Sequence, residues 1–158
     1  MEFTDANTRD NARAYDEHAQ LWDQTIRQNA AYQFLEKPAM AQSLPQDLEH
    51  RSVLVIGAGN GDELAELIKQ NPRRIAAIDI SQKFSDMVRQ KFPSVETQVM
   101  DMTDLKFPDA SFDFVYSGLA LHYASDWDRL LRGIHRILKP GGRLLFSTHH
   151  PEFWGGKG

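Results

Sequence analysis

A chain of 158 residues, 41% of them hydrophobic, fits one domain with one substantial core. Its net charge of −4 argues against general nucleic-acid or anionic-membrane binding, because both draw on a basic surface. The lack of cysteine excludes a disulfide, a thiol nucleophile and a cysteine metal site, and suits a cytoplasmic protein. The charge is uneven: residues 1–50 hold 4 basic and 9 acidic side chains. The opening MEFTDANTRDNARAYD has no basic-then-apolar signal, and no apolar run approaches a membrane span. A cytoplasmic protein without membrane or nucleic-acid partners is therefore expected.

Residues 1 to about 10 are polar and are expected to fray. Asn11 to Glu36 reads as helix with a break near Asn29, since Tyr15, Ala19, Trp22 and Ile26 fall at i, i+4, i+7 and i+11. Pro38 and Pro45 bracket a connector with a short helical turn. Strands are predicted at 52–57, 74–80, 95–100, 112–117 and 142–148. Helices are predicted at 62–70, 82–91 and 127–138, with a weak turn near 119–123. Asn71-Pro72, Phe92-Pro93, Phe107-Pro108 and Lys139-Pro140-Gly141-Gly142 mark ends of elements. Alternating strands and helices imply an α/β fold with a parallel sheet covered on both faces.

The segment VLVIGAGNGDELAELI, Val53 to Ile68, is the most specific part of the chain. A strand runs into Gly57-x-Gly59-x-Gly61 and a helix follows, the opening of a nucleotide-type Rossmann unit. A dinucleotide fingerprint would place glycine or alanine at position 62, which is Asp62. Asp62 and Glu63 make the helix N-terminus negative, which opposes a pyrophosphate but not a cationic ligand. Asp79, at the end of the second strand and 18 residues after Gly61, suits a ribose acceptor; the alternative is a cap on the helix near Ser81.

Further motifs follow in order: RIAAIDIS with Asp79 and Ile80, QVMDMTD with Asp101, then SFDFVYSGLALHYASDWDRLLRGIHRILKPGGRLLFSTHHP. Over roughly residues 50–150 this succession resembles the class I S-adenosylmethionine-dependent methyltransferases, in particular the small-molecule branch called type 11. The resemblance implies a Rossmann-like, doubly wound, mainly parallel sheet in the order 3-2-1-4-5. It divides the chain into an N-terminal helical cap (1–50), a cofactor-binding domain (51–151) and a flexible tail (152–158).

It also implies methyl transfer from S-adenosylmethionine to a small-molecule acceptor. Gly57, Gly59 and Gly61 would lie under the methionine part of the cofactor, and the backbone of Tyr116, Ser117 and Gly118 would pass it. Asp101 would face the adenine amino group with Met102 against the ring; Asp104 is the alternative, and a solvated loop carboxylate the bland reading. Tyr15 and Trp22, in YDEHAQLWD, resemble a family helix that closes over the cofactor; both rings could equally cover the core. Leu119 and Leu121 are assigned to packing.

His122, His149 and His150 are candidates for proton chemistry but carry no assigned role, and no metal site is expected. The basic residues Arg129, Arg132, Arg136 and Lys139 read as a solvated stripe. Two departures from the family stand out. Val55 occupies the position two before the first glycine, where many members carry an acid, and the usual sixth and seventh strands are missing. The last strand would then be an unpaired edge with Leu144 and Phe146 partly bared. A homodimer along that edge, or cover by the HHPEFW segment with Phe153 and Trp154, is expected, unless the chain is a fragment. The rival function is a non-catalytic cofactor-binding module that needs a partner.

Overall fold

A computed structural model describes residues 6–149. Five parallel strands form one sheet in the order β3-β2-β1-β4-β5. They are β1 Ser52–Ile56, β2 Arg74–Asp79, β3 Glu96–Val99, β4 Phe112–Ser117 and β5 Leu138–Phe146. Strand β1 lies at the centre, and all five of its residues are buried. Successive side chains on a strand point to opposite faces. Val53 and Val55 therefore join one core with Leu64, Leu67, Val88 and Phe114, while Leu54 and Ile56 join the other with Phe112, Leu130, Ile134 and Ile137. This double burial is why the strand has no polar alternation.

The helices are α1 Ala6–Gln28, α2 Lys37–Ser43, α3 Leu64–Lys69, α4 Gln82–Lys91 and α5 Trp127–Ile137. Helix α4 starts at Ser81, whose hydroxyl accepts from Phe84 N at 3.2 Å, and α5 at Asp126, whose carboxylate accepts from Arg129 N at 2.8 Å. These side chains satisfy backbone donors that the first turn leaves open.

The structure departs from the sequence reading in three places. Helix α1 already runs from Ala6, so residues 6–10 are helical and not frayed. The expected break at Asn29 is present, and beyond it the chain forms a π-helical turn, Tyr32–Glu36, that passes directly into α2. Pro38 lies in the first turn of α2, directly after the π-helical turn. Strand β5 begins at Leu138 instead of residue 142. Its register against β4 shifts between Phe112 and Phe114, so the Lys139-Pro140-Gly141-Gly142 stretch bulges within the strand and does not precede it.

Among the described residues strand β5 pairs only with β4 and forms one edge of the sheet. Phe146 there is exposed, with the Trp127 ring 6.4 Å away, and Leu144 is half-buried. The expectations for His150, Phe153, Trp154 and the 152–158 tail fall outside the described residues. Among the described residues no helix is long and apolar enough to cross a membrane.

Candidate functional site

The carboxyl ends of β1, β2 and β4 open into a cleft. Doubly wound sheets bind ligands at this end, where the crossover direction reverses. Gly57 and Ala58 leave β1 and donate backbone N–H groups to Ile78 O at 2.9 and 3.1 Å, which clips the glycine turn onto β2. Gly57 turns at φ +69°, and a Cβ added there would overlap the Ala120 methyl. Only glycine leaves this floor open while the loop after β4 packs against it.

Asp79 is buried at the end of β2. Its Oδ2 accepts from Gly59 N at 2.8 Å and its Oδ1 from Ser81 N at 2.9 Å. Burial pushes this carboxyl up to about 6, against the pull of those backbone donors. The helix cap is Ser81 itself, and Asp79 braces both the glycine turn and the residue before α4.

Asp101 lies across the cleft just after β3, 8% exposed. Thr103 donates to its Oδ1 from both backbone N and Oγ1 at 2.8 Å. The other oxygen, Oδ2, is buried and has no hydrogen-bond partner. A buried acceptor without a donor is costly, so this oxygen calls for a donor from a ligand. Asp104, the alternative, turns outward to Lys106 at 2.7 Å and Arg129 at 3.8 Å.

Of the residues singled out from sequence, Tyr15, Gly57, Gly59, Asp79, Ile80, Asp101 and Met102 line the cleft, together with Trp22 and Gly118. Gly61 does not. A Cβ on it would meet Phe92 at 3.0 Å and Val88 at 3.2 Å, so it serves the close approach of α4. Ser117 does not either: its hydroxyl turns back into the sheet and donates to Ile56 O at 2.9 Å. Sequence reasoning missed Asn11, Phe84, Thr103, Ala120 and Tyr123 as lining, and it assigned Leu119 to packing although Leu119 lines the cleft. The aromatic residue in the weak turn after β4 was the available signal for Tyr123. Leu121 is fully buried, in keeping with packing.

Helix α1 covers the cleft. The Tyr15 ring lies 5.6 Å from Tyr123 and 6.3 Å from Phe84, and Trp22 lies 5.4 Å from Phe84. Polar bridges hold the helix down: Asp16 accepts from Ser81 Oγ at 2.5 Å and Lys83 N at 3.1 Å, and Asp23 accepts from Asn60. His122 and His149 stack at 4.3 Å outside the lining, and burial together with His149 lowers the His122 pKa. Val55 is buried in β1 and offers no carboxylate to the cleft. Among the described residues no cluster of three or more histidine or acidic side chains could hold a metal.

A methyltransferase-domain model matches residues 54–146, which include the glycine turn, Asp79 and Asp101. The chain belongs to the type 11 branch of the class I S-adenosylmethionine-dependent methyltransferases. It is similar to a malonyl-[acyl-carrier protein] O-methyltransferase of Halorhodospira halophila, 30% identical over 89% of this chain and 48% of that one. It is also similar to a tRNA N(3)-methylcytidine methyltransferase of Schizosaccharomyces pombe, 31% identical over 86% of this chain and 51% of that one. A solved S-adenosylmethionine-dependent methyltransferase from Mesorhizobium loti superposes with a TM-score of 0.69 at 31% identity, covering 80% of this chain and 56% of that one. The chain thus spans about half the length of these relatives.

The family's cofactor fits the residues present. The cleft offers a glycine floor, an orphaned acceptor in Asp101 Oδ2 and a second carboxylate in Asp79. A nucleoside with ribose hydroxyls and an exocyclic amine has the matching donors.

Proposed function

We propose that this chain binds S-adenosylmethionine in the cleft and transfers its methyl group to a small-molecule acceptor. The observation that carries the reading is the buried, unpartnered Oδ2 of Asp101 in a cleft that also holds Asp79 and Gly57. Asp101 Oδ2 would accept from the adenine amino group, with Met102 against the ring. Asp79 would accept from the ribose hydroxyls, and Gly57 and Gly59 would leave room for the methionine part. The bound cofactor supplies an activated methyl group whose leaving group is a neutral thioether.

The chain's own residues supply position and dryness. Tyr15, Trp22 and Tyr123 line the cleft and would shield a bound ligand from water. Alignment of nucleophile and methyl group can contribute up to about 7–11 kcal/mol in the best intramolecular models. A general base is needed only where the acceptor must lose a proton, so no catalytic residue is assigned. The net charge of −4 supports a small acceptor over a polyanion, although the relatives named above include enzymes of a carrier protein and of tRNA.

Calorimetry with S-adenosylmethionine and S-adenosylhomocysteine tests the cofactor, and an assay for S-adenosylhomocysteine release over a panel of small acceptors tests transfer. No binding to the wild-type chain would refute the reading. Binding without turnover on any acceptor would favour a non-catalytic module. The coverage of about half the relatives' length is the observation that keeps this second reading open.

A further inference from the structure

Glu36 closes the π-helical turn of the cap, and Ser147 follows the last residue of β5, 111 positions later. The two meet: Ser147 Oγ donates to Glu36 Oε1 at 2.5 Å. The same hydroxyl accepts from Leu119 N at 3.0 Å. A hydroxyl has one proton, so with Glu36 ionised the order runs from Leu119 N–H to Ser147 O–H to the Glu36 carboxylate. Ser147 N in turn donates to Ser117 O at 3.0 Å, which holds the serine in place.

Leu119 needs such a hold. It lines the cleft at φ +48°, a left-handed conformation that costs a branched residue on the order of 1–3 kcal/mol. The adjoining Ala120 is the residue that packs on Gly57. Gly57, Leu119 and Ala120 line the same cleft, so a change at Leu119 would alter the contact of Ala120 with the glycine floor. Gly118 is the contact point on the other side. A Cβ there would sit 3.3 Å from Glu63 Oε1 and 3.4 Å from Glu36 Oε1, so both carboxylates lie beside the loop. Tyr32, four residues before Glu36, donates its hydroxyl to Glu63 Oε1 at 3.1 Å and fixes the turn at its other end. The wide π turn brings Tyr32 and Glu36 to bear on neighbouring targets, and π turns recur at functional sites.

We propose that Glu36 is a positioning residue that acts through Ser147 to keep Leu119 and Ala120 in the conformation that leaves the cofactor cleft open. This rests on the reading of the cleft as an S-adenosylmethionine site. Without the relay, the open conformation is only a fraction of the population, and apparent affinity falls by that fraction.

The test titrates S-adenosylhomocysteine by calorimetry into the wild type and into Glu36→Ala, Glu36→Gln, Ser147→Ala and Ser147→Thr. Hydrogen exchange of the Leu119 amide is measured on the same proteins. Either alanine variant should bind about ten-fold or more weakly and exchange the Leu119 amide faster, as expected for loss of a charge-assisted bond. Glutamine keeps an acceptor and threonine keeps the hydroxyl, so both should restore most of the affinity and the protection. Alanine variants that bind within about threefold of wild type would overturn the proposal. So would a glutamine variant no better than alanine. If the wild type does not bind, the cofactor reading fails, and unchanged Leu119 exchange in the alanine variants would separately refute the relay.

Discussion

Asp79 invites a test that separates bracing from ligand binding. Asp79→Ala removes two charge-assisted acceptors, from Gly59 N at 2.8 Å and Ser81 N at 2.9 Å. Each orphaned donor costs roughly 1–3 kcal/mol if it stays buried. The same substitution removes a buried charge. Burial raises this carboxyl from 3.8 to about 6, so keeping it ionised at neutral pH costs the fold about 3 kcal/mol. The two effects oppose each other, and the net change in stability should lie between about 1 kcal/mol stabilising and about 3 kcal/mol destabilising. Ligand affinity has no such offset and should fall roughly ten- to a hundred-fold.

The pH dependence has a definite sign. A folded pKa above the unfolded one means that protonation favours the folded state. The destabilisation from Asp79 is therefore full above about pH 6 and disappears as pH falls below 3.8. A ribose donor favours the ionised form, so S-adenosylhomocysteine affinity should decline as pH drops through about 6. Denaturant unfolding of the empty protein and calorimetry at pH 5 to 7.5 measure both. The reasoning is refuted if Asp79→Ala unfolds the protein by several kcal/mol yet binds within about threefold of wild type. That pattern would make Asp79 a brace alone.

Gly57→Ala puts a Cβ onto the Ala120 methyl at φ +69° and should destabilise the fold by about 2 kcal/mol or more while blocking the cleft; Ala120→Gly should recover part of both in thermal unfolding and binding. Asp101→Asn can keep the Thr103 turn only by presenting its amide NH₂ where Oδ2 stood, so affinity for S-adenosylhomocysteine should fall about ten-fold by calorimetry. Although burial acts against it, the Asp113 carboxyl is held low by Lys139 at 2.6 Å and Ser52 N at 2.8 Å. Its contribution is complete above pH 3.8 and is lost as pH falls through the lower folded value, so Asp113→Ala should narrow the gap in stability between pH 7 and pH 3 in urea titrations.

The strand-glycine-helix opening, the buried β1 and the two strand-end carboxylates were legible in the sequence. Each depends on contacts within a few residues or on a single strand's direction, and a chain's local pattern carries that information. The order 3-2-1-4-5 followed from the family resemblance. Tertiary structure decided where individual side chains point. Ser117 ends β4 as expected, yet its hydroxyl turns back to Ile56 O, and Gly118 and Leu119, beyond the strand, line the cleft. Gly61 belongs to the motif by spacing, but the approach of α4 makes it a packing residue. The relay from Glu36 through Ser147 to Leu119 joins three distant segments of chain. No periodicity links positions 111 residues apart, so that contact exists only once the cap, the loop after β4 and the end of β5 have folded against one another.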